Sequence, residues 1–248
     1  MPLLLGVNID HIATLRQARY AQDPQSPNAE PCPLHAGQDA IAGGADSLTI
    51  HVRGDRRHMQ DADAYQIRQH LKIPLNLEMA VSEEMLALAL KLKPEFVCLV
   101  PENRLEITTE GGLDLLASFD KIRDFTARLK EAGILVSAFI DPDLNQIDAA
   151  VEAQADMIEL HTGAFANAAP STVQVELDRL IRAASHGYQK RLQINAGHGI
   201  NYTNIAQILT IPHLAELNIG HSIIARASRC GLTTAVQEMK ALMATYTA

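Results

Sequence analysis

Cysteine, basic charge and long apolar runs are all in short supply in this chain, and each shortage removes a class of protein. Cys32, Cys98 and Cys230 are an odd count at unrelated spacings, with no CxxC pair. That argues against a disulfide framework or a zinc cluster and fits a reducing cytoplasm. Cys98 sits inside an apolar run and reads as a small core hydrophobe. The formal net charge of -8 argues against nucleic-acid binding, which needs a basic face to displace phosphate counterions. No apolar run reaches the ~18 residues expected of a membrane-spanning helix. The opening MPLLLGVNIDH reads as a first strand, not a signal peptide. Without an HxH or HEXXH pair a metallohydrolase is not expected, although dispersed residues could still gather a metal. No GxSxG elbow occurs.

What is present is a repeat. Eight short apolar runs, LLLGVNIDH, SLTIHVR, PLNLEM, FVCLVPE, LVSAFID, MIELHTG, LQINAGHG and ELNIGHS, each stop at polar and often ionisable residues. Five of the stops include histidine. Between them lie helical periodicities. Ala64, Ile67 and Leu71 form one, and Met85, Leu88, Ala89 and Leu92 another, behind an N-cap at Ser82 with Glu83 and Glu84 in the first turn. Ile122, Phe125, Leu129 and Ala132 precede a stop at Gly133, and Leu144, Ile147 and Val151 follow Pro142, placed in the first turn. Val173, Leu177, Leu180, Ile181 and Ala184 end near Gly187, Ile205, Ile208 and Leu209 end before Pro212, and Met239, Leu242 and Met243 close the chain.

Strand, helix and small-residue turn (Gly44-Ala45-Asp46, Ala132-Gly133-Ile134, Ala155-Asp156) therefore alternate throughout. Right-handed βαβ units repeated eight times can close, and 248 residues are close to the ~250 of one such barrel. The expected fold is an α/β (β/α)8 TIM barrel, one domain over residues 1–248. An open doubly wound sheet would concentrate its chemistry at one switch point instead. Two stretches break the rhythm. Residues 20–35, rich in proline, read as an excursion before the first barrel helix, and residues 101–112 read as a lid or a surface loop.

The strand ends carry the candidate site. Asn8, Asp10 and His11 end the first strand, His51 and Arg53 the second, Glu78 the third, Glu159 and His161 the sixth, Asn195 and His198 the seventh, Asn218 and His221 the eighth. Glu78, among apolar neighbours, is either paired or raised in pKa, as a general base requires. Arg16, Arg19, Arg53, Arg56, Arg57 and His58 cluster after two strands of an acidic chain and suit a small anion. AGHG at 196–199 and IGHS at 219–222 follow strands seven and eight, where barrels often bind phosphate on backbone amides. The two grips are expected at opposite parts of the ring. His35, His70, His186 and His213 read as surface groups. No lysine stands at a strand's C-terminal end, which disfavours a Schiff-base aldolase.

NIDHIATLRQAR, HVRGDRRHM, NLEMAVSEEML, LVPE…TTEGGLD, IELHTG, NAGHGINY and ELNIGHSII resemble the pyridoxine 5′-phosphate synthase family along the whole chain. The resemblance implies a (β/α)8 barrel with additional helices, assembled as a homo-oligomer, commonly an octamer. It implies condensation of 1-deoxy-D-xylulose 5-phosphate with 3-amino-2-oxopropyl phosphate, with no organic cofactor and no catalytic metal. By motif, His51 and Glu78 resemble proton acceptors, His198 a proton donor, and Glu159 a carboxylate that supports charged intermediates. Asn8, Arg19, Gly199, Gly220 and His221 match groups holding the aminoketone phosphate. Asp10, His11, Arg53, His58 and Thr108 match groups around the deoxyxylulose phosphate. The rivals are a sugar-phosphate isomerase or lyase on the same scaffold and a non-catalytic phosphate-ligand barrel.

Overall fold

The computed structural model describes residues 2–102 and 111–247. Its strands are β1 (Leu4–Asn8), β2 (Ser47–His51), β3 (Leu75–Met79), β4 (Phe96–Leu99), β5 (Leu135–Ile140), β6 (Met157–His161), β7 (Gln193–Gly197) and β8 (Leu214–Ile219). They pair in sequence order, all parallel, and β8 returns to β1 to close the barrel. The helices are α1 (Asp10–Tyr20), α2 (Pro33–Ala42), α3 (Asp61–His70), α4 (Glu83–Leu92), α5 (Phe119–Glu131), α6 (Leu144–Glu152), α7 (Gly163–Ala166), α8 (Val173–Gln189), α9 (Ile205–Ile208), α10 (His221–Cys230) and α11 (Leu232–Met243). The barrel with additional helices is as expected. No helix among the described residues is long and apolar enough to cross a membrane.

The helix signals hold with instructive exceptions. Ser82 caps α4, its hydroxyl accepting from Met85 N, and Gly133 follows α5 at φ 78°. Asp143, not Pro142, sets the start of α6: its carboxylate accepts from the amides of Asn145 and Gln146. Gly187 does not end α8. The helix runs on to Gln189, and a side chain at 187 would collide with Ile194 and Ile158, so this glycine serves close helix-to-sheet packing. After β1 the chain turns at once into α1, and Pro33 opens α2 from the first-turn position proline favours, two residues before the expected end of the excursion.

Three acidic residues clasp the N-terminal ends of the strands. Asp46 accepts from Leu5 N at 2.7 Å, Glu95 from Leu75 N at 2.9 Å and Asp156 from Val136 N at 2.9 Å. Each is met by a cation, Lys240, Arg68 and Lys130 respectively. This end of the barrel is committed to holding strands together.

The strands alternate strictly, and in an unusual sense. Leu48, Ile50, Leu75, Leu77, Val97, Val136, Ile158, Leu160, Ile194 and Leu217 belong to the continuous apolar shell shared with the helices. Alternate residues bond one another across the lumen. Ser47 donates to Glu216, Thr49 donates to Asn218 at 3.0 Å, and Asn218 donates to Glu159 at 2.6 Å, although none of these pairs lies on adjacent strands. Barrel interiors are ordinarily filled by branched aliphatics. Here the apolar lumen shrinks to a small separate cluster of Cys98, Val100 and Phe139. Burying Ser47, Thr49, Glu159, Glu216 and Asn218 is tolerable because they bond one another, whereas the buried Asn76 Oδ1 finds no partner among the described residues. Gly6 keeps the network in place: a Cβ there would strike Asn218, Glu216 and Ser47.

Candidate functional site

At the C-terminal rim the polar lumen opens into a cavity of about 530 Å³. Asn8, Asp10, His11, His51, Arg53, His58, Glu78, Glu159, His198, Gly199, Gly220 and His221 all line it. Two expected site residues are not among them. Arg19 lies on the exposed side of α1, outside the cavity, its guanidinium 5.8 Å from the Tyr20 ring. Thr108 and most of the lid candidate lie outside the described residues.

The centre of the site is built on neighbouring strands. His51 on β2 stands in register with Glu78 on β3, with His51 Nδ1 3.8 Å from Glu78 Oε2. On the other side His51 Nε2 lies 2.9 Å from Glu102 Oε1. Burial raises the Glu102 carboxyl, but the His51 hydrogen bond, the Gly54 amide and Arg53 outweigh it and hold it below its ordinary value. Glu102 is therefore an anion that accepts from Nε2–H, which leaves the Nδ1 lone pair facing Glu78. Asp10 completes the mounting, accepting from the His51 amide at 2.8 Å and from Asn8 Nδ2 at 2.9 Å.

Glu78 is pushed well above the ordinary carboxylate range by burial first, then by Glu159 and Asp10, against an opposing hydrogen bond from Asn8. Glu159 is raised by burial to about 8; the Asn218 hydrogen bond opposes this and Glu216 adds to it. Burial thus favours the protonated form of both carboxyls beside one cavity. His198 is displaced the other way, to about 4, by burial and by the nearby His161 and His11.

The anion-suited groups fall into two sets. Arg53 is almost fully buried at the cavity wall. His58 beside it accepts from Met59 N through Nδ1 at 2.7 Å, which puts its own proton on Nε2. The second set is the backbone around Gly199 and around Gly220, which caps the N-terminus of α10. A Cβ on Gly220 would press on Asn8, and Gly199 has φ 93°, so both positions need glycine. His11 and His221 meet here, Nδ1 to Nδ1 at 3.1 Å. Contrary to the expectation from sequence, the sets are not opposed across the ring. Only β1 separates β8 from β2, so the residues after those two strands flank the end of β1.

Residues 5–245 match the family described as Pyridoxal phosphate biosynthesis protein PdxJ. The chain belongs to the pyridoxine 5′-phosphate synthase family. The Pyridoxine 5′-phosphate synthase of Akkermansia muciniphila is 55% identical over 239 residues, covering 96% of this chain and 97% of that one. That of Opitutus terrae is 52% identical over 245 residues, covering 97% and 99%. Membership makes the chain an enzyme of pyridoxine and pyridoxal phosphate biosynthesis. Among solved structures, N-(5′-phosphoribosyl)anthranilate isomerase from Pyrococcus furiosus aligns with a TM-score of 0.62 at 14% identity, over 97% of this chain and 98% of that one. Mycobacterium tuberculosis tryptophan synthase aligns with a TM-score of 0.63 at 11% identity, over 98% and 93%. At such identities the likeness concerns the barrel alone.

Within this member of the pyridoxine 5′-phosphate synthase family, the expected strand-end residues are largely brought together around one cavity. Sequence reasoning missed Glu102, although it ends the fourth apolar run, LVPE, and that polar stop was the available signal. It also missed α10. Its signal was a short stripe, Ile223, Ile224, Ala227 and Cys230, which packs against the core on one face of an otherwise polar helix.

Proposed function

We propose that this enzyme condenses 1-deoxy-D-xylulose 5-phosphate with 3-amino-2-oxopropyl phosphate, releasing inorganic phosphate and water and leaving pyridoxine 5′-phosphate. The observation that carries the reading is one cavity in which two anion-suited sets flank paired, raised carboxyls and a mounted histidine. Two phosphorylated substrates need two anion sites. One of them must also release phosphate, which suits neutral imidazoles and backbone amides more than a dense cluster of fixed charge.

Ring construction from an amine and two carbonyl carbons runs through imine formation, loss of phosphate, loss of water and aldol-type closure. Each step moves a proton between carbon, nitrogen or oxygen and a nearby group. Glu78 and His51 Nδ1 face the same volume and serve as proton acceptors. Glu159 supports cationic intermediates once it has given up its proton. His198 acts as donor after substrate phosphate brings negative charge beside it, because that charge offsets the displacement that burial and its histidine neighbours impose. The substrate supplies its own amine, so no lysine nucleophile is required.

Product formation tests the reading directly. Enzyme with both substrates is expected to yield pyridoxine 5′-phosphate by chromatography, and neither substrate alone is consumed. Turnover of a phosphoketose without the amine partner points instead to an isomerase or lyase. Glu102→Gln tests the mounting of His51. Glutamine can no longer enforce one His51 tautomer, so kcat is expected to fall about tenfold with KM within about twofold. A wild-type kcat would remove Glu102 from the arrangement.

A further inference from the structure

The family resemblance gives no role to His161 or Asp141, yet this pair is unusually constrained. His161, the last residue of β6, is buried, and its Nδ1 lies 2.9 Å from Asp141 Oδ1. The His161 hydrogen bond, against the opposing effect of burial, holds Asp141 below its ordinary value, helped by the Gly112 amide and by Arg179. Asp141 is thus an accepting anion, and the His161 proton sits on Nδ1. That leaves Nε2 as an acceptor, buried and with no hydrogen-bond partner among the described residues. Leaving a buried polar atom of this kind unpaired opposes folding and demands a reason.

The reason lies in what His161 touches. Its ring meets the His198 ring edge-on, with centroids 5.1 Å apart and planes at 60°, and Phe139 lies against both at 5.2 and 6.3 Å. The next residue, Thr162, donates its hydroxyl to the carbonyls of His198 at 2.6 Å and Gly197 at 3.1 Å. His198 needs that support, because its φ is 67°. A non-glycine residue in the left-handed region is strained and persists only where its surroundings enforce it. The end of β6 and its successor therefore grip His198 by ring and by backbone. His161 does not itself line the cavity, so it reaches substrate only through His198.

We propose that Asp141 and His161 form a positioning dyad for His198, fixing the orientation of its ring and the stage at which it takes up a proton. The inference rests on the reading of His198 as proton donor. The groups facing His198 are His161 from β6, Glu159 of the same strand against Gly197, and His11 from α1 with His221 of α10 behind it. Asp141, the residue after β5, acts through His161. In the empty site His198 is neutral at pH 7, and a bound phosphate dianion supplies the charge that lets it protonate. The dyad thereby ties the donor's readiness to occupancy.

Ring-nitrogen NMR on enzyme with 15N-labelled histidine tests this, with inorganic phosphate as the added anion. In His161→Phe the ring packing stays while the neighbouring imidazole's repulsion goes. The His198 midpoint is expected to rise by about half a unit, with the acidic limb of the kcat profile moving the same way. In Asp141→Asn, His161 is expected to lose its single Nδ1–H tautomer signature. Both variants lower kcat about tenfold with KM within about twofold. An unchanged His198 midpoint and pH profile in His161→Phe, with an unchanged His161 tautomer in Asp141→Asn, overturns the proposal. Should His161→Phe not fold, Asp141→Asn decides alone, since that side chain is half exposed. Wild-type turnover in His198→Gln overturns the donor reading itself, and is distinguishable because it leaves the His161→Phe titration shift standing.

Discussion

Glu78→Gln is expected to lower kcat by about 10³-fold, within the range a positioned acid–base group contributes, while KM changes little. Glutamine keeps the shape and the polarity of the protonated carboxyl, the form that burial beside Glu159 and Asp10 favours at Glu78. Substrate affinity and folding therefore survive; what disappears is the ability to take up a proton. The pH profile carries the second half of the prediction. In the parent enzyme kcat/KM rises with pH as Glu78 loses its proton, and in Glu78→Gln that rise is gone. Glu78→Asp retracts the carboxylate from the cavity and is expected to lose about 10²-fold, as a displacement of about 1 Å can. Turnover of Glu78→Gln within threefold of the parent would remove Glu78 as the base.

Glu159→Gln is expected to stabilise the protein in alkali while depressing turnover. A carboxyl raised in the folded state favours folding where it is protonated in both states, below its ordinary value of 4.5. As pH rises from there, the unfolded chain ionises freely while the folded one holds its proton, so stability falls. The loss is complete once pH passes the folded value of about 8. Each unit in that window is worth about 1.4 kcal/mol at most, and relaxation around the site reduces the total to a few kcal/mol. A chain of this length gains about 2–4 °C in Tm per kcal/mol. At pH 5 the variant and parent should melt together, and at pH 8.5 the variant should melt about 5–10 °C higher. Glutamine keeps an oxygen for the amide of Asn218, so that bond is not the source of the difference. Superimposable Tm curves from pH 5 to 9 would mean that Glu159 is not held protonated.

Both predictions depend on features of unequal visibility in the sequence. The barrel and its reactive rim were legible because eight apolar runs end in polar residues, and a barrel is the fold that gathers such ends on one side. The identity of the rim groups was legible too, since Glu78, His51, Glu159 and His198 occupy strand ends by position alone. Their pairings were not. Glu102 meets His51, and Asp141 meets His161, across strands that the chain visits at different times, and only closure and register bring them together. The polar lumen was written in the alternation of SLTIH, LNLEM and MIELH, but apolar runs read as runs conceal it. Arg19 was matched by motif position, which does not say which side of α1 a residue faces, and it stands on the exposed side.

The inverted lumen has a consequence for how this scaffold can change. Cohesion resides in the outer shell, where sheet meets helices, and the axis contributes specificity of chemistry with little apolar cohesion. Along each strand the two kinds of position take turns, so the parity of a residue separates its tolerance into two independent accounts. Changes at one parity disturb whether the barrel exists, and changes at the other disturb what it converts. Such a division lets the catalytic lining drift through new combinations while the enclosure that holds it stays intact, a form of evolvability that a conventionally greasy barrel interior does not offer.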